Sequence, residues 1–377
     1  MVEWKKLTKV SYVQYGYPFD SSLFSEDNSY IPLIRIRDVK PGIPSTYYTG
    51  DYSSDYIIQR GDILVGMDGE FNLAKWQSRD GLLNQRVLKL SGKDGTCISG
   101  YLYHYMGPVF KRIEKQTAGG SVKHLSAKVI NNLVIPIPTL SEQNCIVGIL
   151  DTFTDSIENL KQQIAQRRKQ YEFYRDQLLD NISISTKIGE LTKVFSCPRV
   201  YKNQWQDSGI PFWRSSDVMS YYNGVKNPRG EVFISQSLYD KLLQKSEKIE
   251  KGDILVTGGG SIGIPYLKKD NKPLFVKDAD LICIKKCESI IPSFLYHFFF
   301  STSFRLYLKK ITHDATIAHY TISQIIETPI PVPPLSEQQR IVSILDTFEA
   351  SISNLEAQLA QRQKQYEYYR NKLLTFE

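Results

Sequence analysis

Cysteine is scarce and scattered, with five residues at 97, 145, 197, 283 and 287 of a 377-residue chain. An odd, dispersed set gives no disulfide framework. Cys283 and Cys287 lack a second pair or a histidine at ligand spacing, so no structural zinc site is expected. Long apolar runs are missing too: the most apolar stretch, 294–300, is interrupted by His297 and falls well short of a membrane span, which needs about 20 residues. The opening residues, Met-Val-Glu-Trp-Lys-Lys, carry charge where a secretion signal needs an apolar core. A reduced, cytoplasmic chain without membrane contact is expected.

Catalytic signatures are also lacking. There is no G-x-x-x-x-G-K-[ST] phosphate loop, no His-Glu-x-x-His and no Asp…Glu-x-Lys cluster. The one Pro-Pro, at 333–334, is flanked by Val332 and Leu335 and does not form an adenine-methyltransferase motif. Gly258-Gly-Gly-Ser-Ile-Gly263 satisfies a dinucleotide fingerprint, but Ile264-Pro265-Tyr266 follows where a helix would have to open. A glycine turn between strands is the reading, one that could still approach phosphates closely. No cofactor and no chemistry are expected of this chain.

What the sequence does contain is itself, twice. Ile135-Pro-Ile-Pro-Thr-Leu-Ser-Glu-Gln143 returns as Ile330-Pro-Val-Pro-Pro-Leu-Ser-Glu-Gln338, and about 30 of 45 positions then agree at a constant offset of 195. Ahead of these blocks the match is looser. Gly61-Asp-Ile-Leu-Val65 equals Gly252-Asp-Ile-Leu-Val256, and Ile31–Val39 resembles Ile210–Val218, at differing offsets. Loops of unequal length therefore separate shared strands.

Within the repeated block, apolar residues alternate at intervals of four and three, the period of a coiled-coil seam. The first copy carries Ile146, Leu150, Phe153, Ile157 and Leu160; the second carries Ile341, Leu345, Phe348, Ile352 and Leu355. Arg167 and Arg362 break both seams at one place and are read as structural. Leu-Ser-Glu-Gln supplies the start signal, with Ser or Glu placed to cap the first N–H groups. Two seams of equal length and phase are expected to pair with each other, antiparallel. The remaining segments read as short strands bounded by Gly, Asp and Asn. The fold class is α+β: two pseudo-repeated globular domains at 1–138 and 185–333, separated by two long helices at 139–184 and 334–377.

Charge follows this division. The globular segments carry +4 and +6, and the helical segments −2 and −1, of a net +7. Basic domains on a slightly acidic pair of helices suit a polyanion with two half-sites. A non-enzymatic coiled-coil scaffold whose basic domains bind protein or RNA remains the alternative on charge alone.

Variable domain, proline-flanked I-P-[IV]-P-x-L-S-E-Q and long heptad helix, all repeated once, resemble the specificity (S) subunit of a Type I restriction–modification system. The GDILV strand before a glycine turn, and the H-x-[ST] segment before the proline motif, are similar to that family's target recognition domains. The resemblance spans essentially the whole chain. It implies a non-catalytic subunit whose two target recognition domains each read one half of a bipartite site on double-stranded DNA. The helices would act as spacer and dock two methyltransferase (M) subunits, which bind S-adenosylmethionine; two restriction (R) subunits can join them.

The DNA-contact candidates are chosen as chemically sensible readers of base edges and phosphates. In the first domain they are Arg35, Arg37, Asp68 in the turn at 66–69, Asn84, Gln85, Arg86, Lys123 and His124. In the second they are Arg214, Ser215, Ser216, Thr257 and Ser261 of the glycine turn, Lys277, His313 and His319. Arg37 and Ser216 stand at matched positions, where the two halves are expected to read different bases.

Overall fold

The computed structural model describes residues 2–116, 123–180, 182, 185–312 and 319–376. The chain forms two compact units, one built from 1–161 with 357–377, the other from 162–356. Packing thus divides each long helix near its middle, whereas the sequence repeat places its boundaries at the helix ends. The reason is that each half-helix buries its seam within one unit.

In the first unit, a four-stranded antiparallel sheet runs in the order Ser11–Tyr15, Val87–Gly92, Ile63–Gly66, Leu73–Lys75. The second unit repeats it as Val194–Ser196, Leu281–Ile284, Ile254–Thr257, Pro265–Leu267. The GDILV segments form corresponding inner strands, buried along their whole length. Their leading glycines, Gly61 and Gly252, have φ of 97° and 96°, a conformation that disfavours any residue with a Cβ. The proline motif forms a short edge ladder in each unit, Val134–Ile137 on Glu3–Lys6 and Pro329–Pro331 on Ser185–Lys187. An edge tolerates proline's missing donor.

The central helix, Leu140–Asp180, and the C-terminal helix, Leu335–Leu373, contribute segments to both units. In the second unit, Arg168 pairs with Glu356 and Tyr174 stacks on Phe348, so the two segments run antiparallel. In the first unit Phe153 stacks on Tyr369 at 5.2 Å between ring centres. The two seam arginines face these rings: Arg362 lies 5.6 Å from Phe153 and Arg167 lies 5.7 Å from Phe348.

One sequence expectation needs correction. The first two seam residues of each copy do not serve helix pairing alone. Ile146 and Leu150 join the core cluster containing Leu102 and Met106, and Ile341 and Leu345 the one containing Leu295 and Phe298. Each helix opens over its own domain, so its first turns fill that core. Of the two capping candidates in Leu-Ser-Glu-Gln, it is the glutamate of the first copy, not the serine, that serves, accepting the Thr139 N–H at 2.9 Å. Thr139 caps the central helix in a reciprocal pair with Glu142, while Pro334 occupies that place in the second copy and Glu337 turns to Arg340.

Candidate nucleic-acid interface

Three segments of the first unit are stitched together by backbone hydrogen bonds. Met67 N–H donates to the Arg86 carbonyl at 2.8 Å, Leu125 N–H to Met67 at 2.7 Å, and Gly69 N–H to Lys123 at 3.0 Å. The bonds bring Asp68, Arg86 and His124 to one place. The Asp68 carboxylate lies 2.5 Å from His124 Nδ1 and 3.6 Å from Arg86 Nε. Arg86 and His124 nevertheless keep 54% and 40% of their side-chain surface exposed. Arg86 also sits at φ 71°, outside the usual range of a non-glycine residue.

Two of these three bonds recur in the second unit: Gly258 N–H donates to the Asp280 carbonyl and Tyr320 N–H to the Gly258 carbonyl. Here the side chains are permuted. Gly259 occupies the place of Asp68, and a Cβ built on it would lie 3.4 Å from the Asp280 carboxylate and 3.9 Å from the His319 ring. Asp280 in turn holds Lys277 at 3.1 Å. Each unit thus presents an exposed histidine in the same neighbourhood as a carboxylate paired with a cation, Asp68 with Arg86 and Asp280 with Lys277, but the histidine pairs directly with the carboxylate in the first unit.

Several other candidates are built into the fold. Arg214 is buried and spends its guanidinium on Asp217, at 2.9 and 3.1 Å, and on the Gly230 carbonyl. Ser215 is buried and donates to the Asp280 carbonyl. Thr257 is fully buried; its hydroxyl donates to the Ser261 carbonyl and accepts from Ile264 N–H, closing the glycine turn. Asn84 is buried as well, while its neighbour Gln85 is exposed. Arg214, Ser215 and Thr257 support the surface rather than form it, because a turn's polar groups are satisfied from within before they meet solvent, whereas the Asn84 Oδ1 is buried with no hydrogen-bond partner.

Arg35 and Arg37 flank the start of a short helix that packs on Gly66, whose absent Cβ would meet Ile36 at 3.2 Å. Arg35 lies over Phe24, and Arg37 donates to Ser45 and Thr46, both at 2.9 Å. At the matched position, Ser216 accepts from Asn227. Lys123 is half-buried and pairs with Glu114, and Ser261 is exposed. His313 lies outside the described residues.

Sequence reasoning missed a second duplicated constellation. His104 is buried with Nε2 at 2.9 Å from Asp151 and Nδ1 at 3.0 Å from the Tyr366 hydroxyl. His297 repeats both contacts, with Asp346 and Tyr171, each at 2.9 Å. The signal was present: Leu-Tyr-His occurs at 102–104 and 295–297, and both the aspartates and the tyrosines lie in the repeated block. Burial holds the His104 imidazole below its usual value against the pull of Asp151. Gln143 and Gln338 form a further pair. Each buried amide donates to two backbone carbonyls and accepts one N–H, from Ile98 and Ile291 respectively. Among the described residues, the one cluster with three metal-type donors is His297, Asp346 and Glu349.

The chain matches the Type I restriction modification DNA specificity domain twice, over residues 1–167 and 185–363. It therefore belongs to the family of Type I restriction–modification specificity subunits. Among its relatives is a putative type I restriction enzyme specificity subunit of Haemophilus influenzae, S.HindORF215P, 30% identical with 100% of this chain and 96% of that protein aligned. The EcoBI specificity subunit of Escherichia coli is 26% identical, with 94% and 81% covered. The fold is shared with the S subunit of a Type I restriction–modification system from M. genitalium, at a TM-score of 0.64 and 15% identity, covering 100% of this chain and 97% of that one. No helix among the described residues is long and apolar enough to cross a membrane.

Proposed function

We propose that the chain is the non-catalytic, sequence-reading subunit of an adenine-N6 methyltransferase complex. Each domain reads one half of a bipartite site on double-stranded DNA, and the paired helices set the gap between the halves. The observation that carries this reading is the twice-built frame at Asp68–Arg86–His124 and Gly259–Asp280–His319. Two shared backbone hydrogen bonds carrying different polar side chains suit two readers of different base sequences. The basic charge of both globular segments supports it by favouring phosphate contact.

The helices and adjoining surface dock two methyltransferase subunits, which carry S-adenosylmethionine; the chain holds no cofactor of its own. Two restriction subunits join the complex where cleavage accompanies methylation, and the complex works in the cytoplasm. The test is co-expression with a methyltransferase subunit from a neighbouring reading frame, followed by genome-wide mapping of N6-methyladenine. Two short defined sequences at fixed separation are expected. A stable complex that methylates without any split motif would refute the two-reader proposal, and absence of any complex would favour a scaffold that binds protein or RNA.

A further inference from the structure

The two units differ at one place where the repeat predicts a cation. In the first, Lys75 Nζ lies 3.0 Å from the Asp151 carboxylate and 4.9 Å from the centre of the Tyr103 ring. One ammonium is thus held between a carboxylate and an aromatic face. Strand register equates Lys75 with Leu267, since Ile63 faces Lys75 and Ile254 faces Leu267. The carboxylate and the ring persist as Asp346 and Tyr296, but among the described residues no lysine pairs with Asp346, although Lys251, Lys268 and Lys269 line the surrounding cleft. Instead Thr154 is replaced by Glu349, a second acid whose carboxyl burial pushes above its usual value.

Asp346, Glu349 and Tyr296 line a cleft of about 1180 Å³, bounded also by Tyr222 and Phe300. Glu349 Oε1 lies 4.0 Å from His297 Nδ1, and donor atoms of His297, Asp346 and Glu349 fall within 4.8 Å of one another. A metal ion would have to displace a hydrogen bond, because both ring nitrogens of His297 are engaged, by Asp346 and Tyr171. An ammonium over the Tyr296 face needs no such displacement. We propose that this cleft binds a small aliphatic primary amine, its ammonium taking the position that Lys75 fills in the other unit.

The test is titration of the full chain with cadaverine at constant ionic strength, followed by calorimetry and thermal shift, with magnesium chloride as control. The chain's net charge of +7 gives cations no general attraction, so saturable binding reports a local site. Leu267→Lys rebuilds the first unit's ion pair; it is expected to weaken cadaverine binding at least tenfold and to raise the melting temperature on its own. Glu349→Thr, which restores the first unit's residue, is expected to weaken binding similarly and serves if the lysine variant does not fold. Absence of saturable binding overturns the proposal, as does undiminished binding by folded Leu267→Lys or an equal response to magnesium. Lys269 lines the same cleft and its charge acts on Glu349, so Lys269→Ala is expected to tighten binding.

Discussion

His104 Nε2 lies 2.9 Å from Asp151 Oδ1, joining a helix of the first globular domain to the central helix. With the Tyr366 hydroxyl donating to Nδ1, a neutral ring protonated at Nε2 satisfies both partners. His104→Ala removes the acceptor of the Tyr366 hydroxyl and one of the two donors to Asp151 Oδ1, which keeps Lys75. An expected loss of about 2–4 kcal/mol follows. Urea unfolding checks this, and a loss below about 0.5 kcal/mol would deny the contact its structural role.

The same ring gives a pH dependence. The unfolded chain protonates this histidine near its ordinary value of 6.5, whereas burial lowers the folded value. Between the two the unfolded state binds more protons. The contribution is therefore complete above pH 6.5 and falls as the pH drops toward the folded value. Melting temperatures between pH 8 and 5 should decline more steeply for the native chain than for His104→Gln.

Glu349 has the opposite sign. Burial raises its carboxyl, so the folded state pays for ionisation as the pH climbs above the ordinary 4.5. Glu349→Gln is expected to raise the melting temperature at pH 7.5 and to lose that advantage near pH 4. A pH-independent effect would point to packing instead.

Phe153 contacts both Tyr369 and Arg362, as Phe348 contacts both Tyr174 and Arg167. A double-mutant cycle on Phe153→Leu and Arg362→Gln should return a coupling of about 0.5–1 kcal/mol. Additive losses would mean that the arginine merely lies nearby.

If the frame around Asp68 reads bases, Arg86→Ala should relax discrimination in one half of the methylated motif and leave the other intact. A guanine contact of this kind is worth about 1–3 kcal/mol. Uniform weakening across sequences, with a shallower salt dependence, would place Arg86 on phosphate instead.

The sequence alone determined the duplication, the long heptad helices and the order of domain and helix, because periodicity is a local property of the chain. It also marked the glycine turn as a connection between strands, since Ile264-Pro265 forbids the helix that a dinucleotide site needs. It could not decide which polar side chains are free. Thr257 and Ser261 look alike in the sequence, yet only the packing around the turn buries Thr257 and leaves Ser261 exposed. Nor could spacing show that His104 meets Asp151 and Tyr366, residues 47 and 262 positions away. Those contacts form only when the helices fold back on the domain. Burial and long-range hydrogen bonding belong to the tertiary structure, and they decide which polar residues support the fold and which remain available to a ligand.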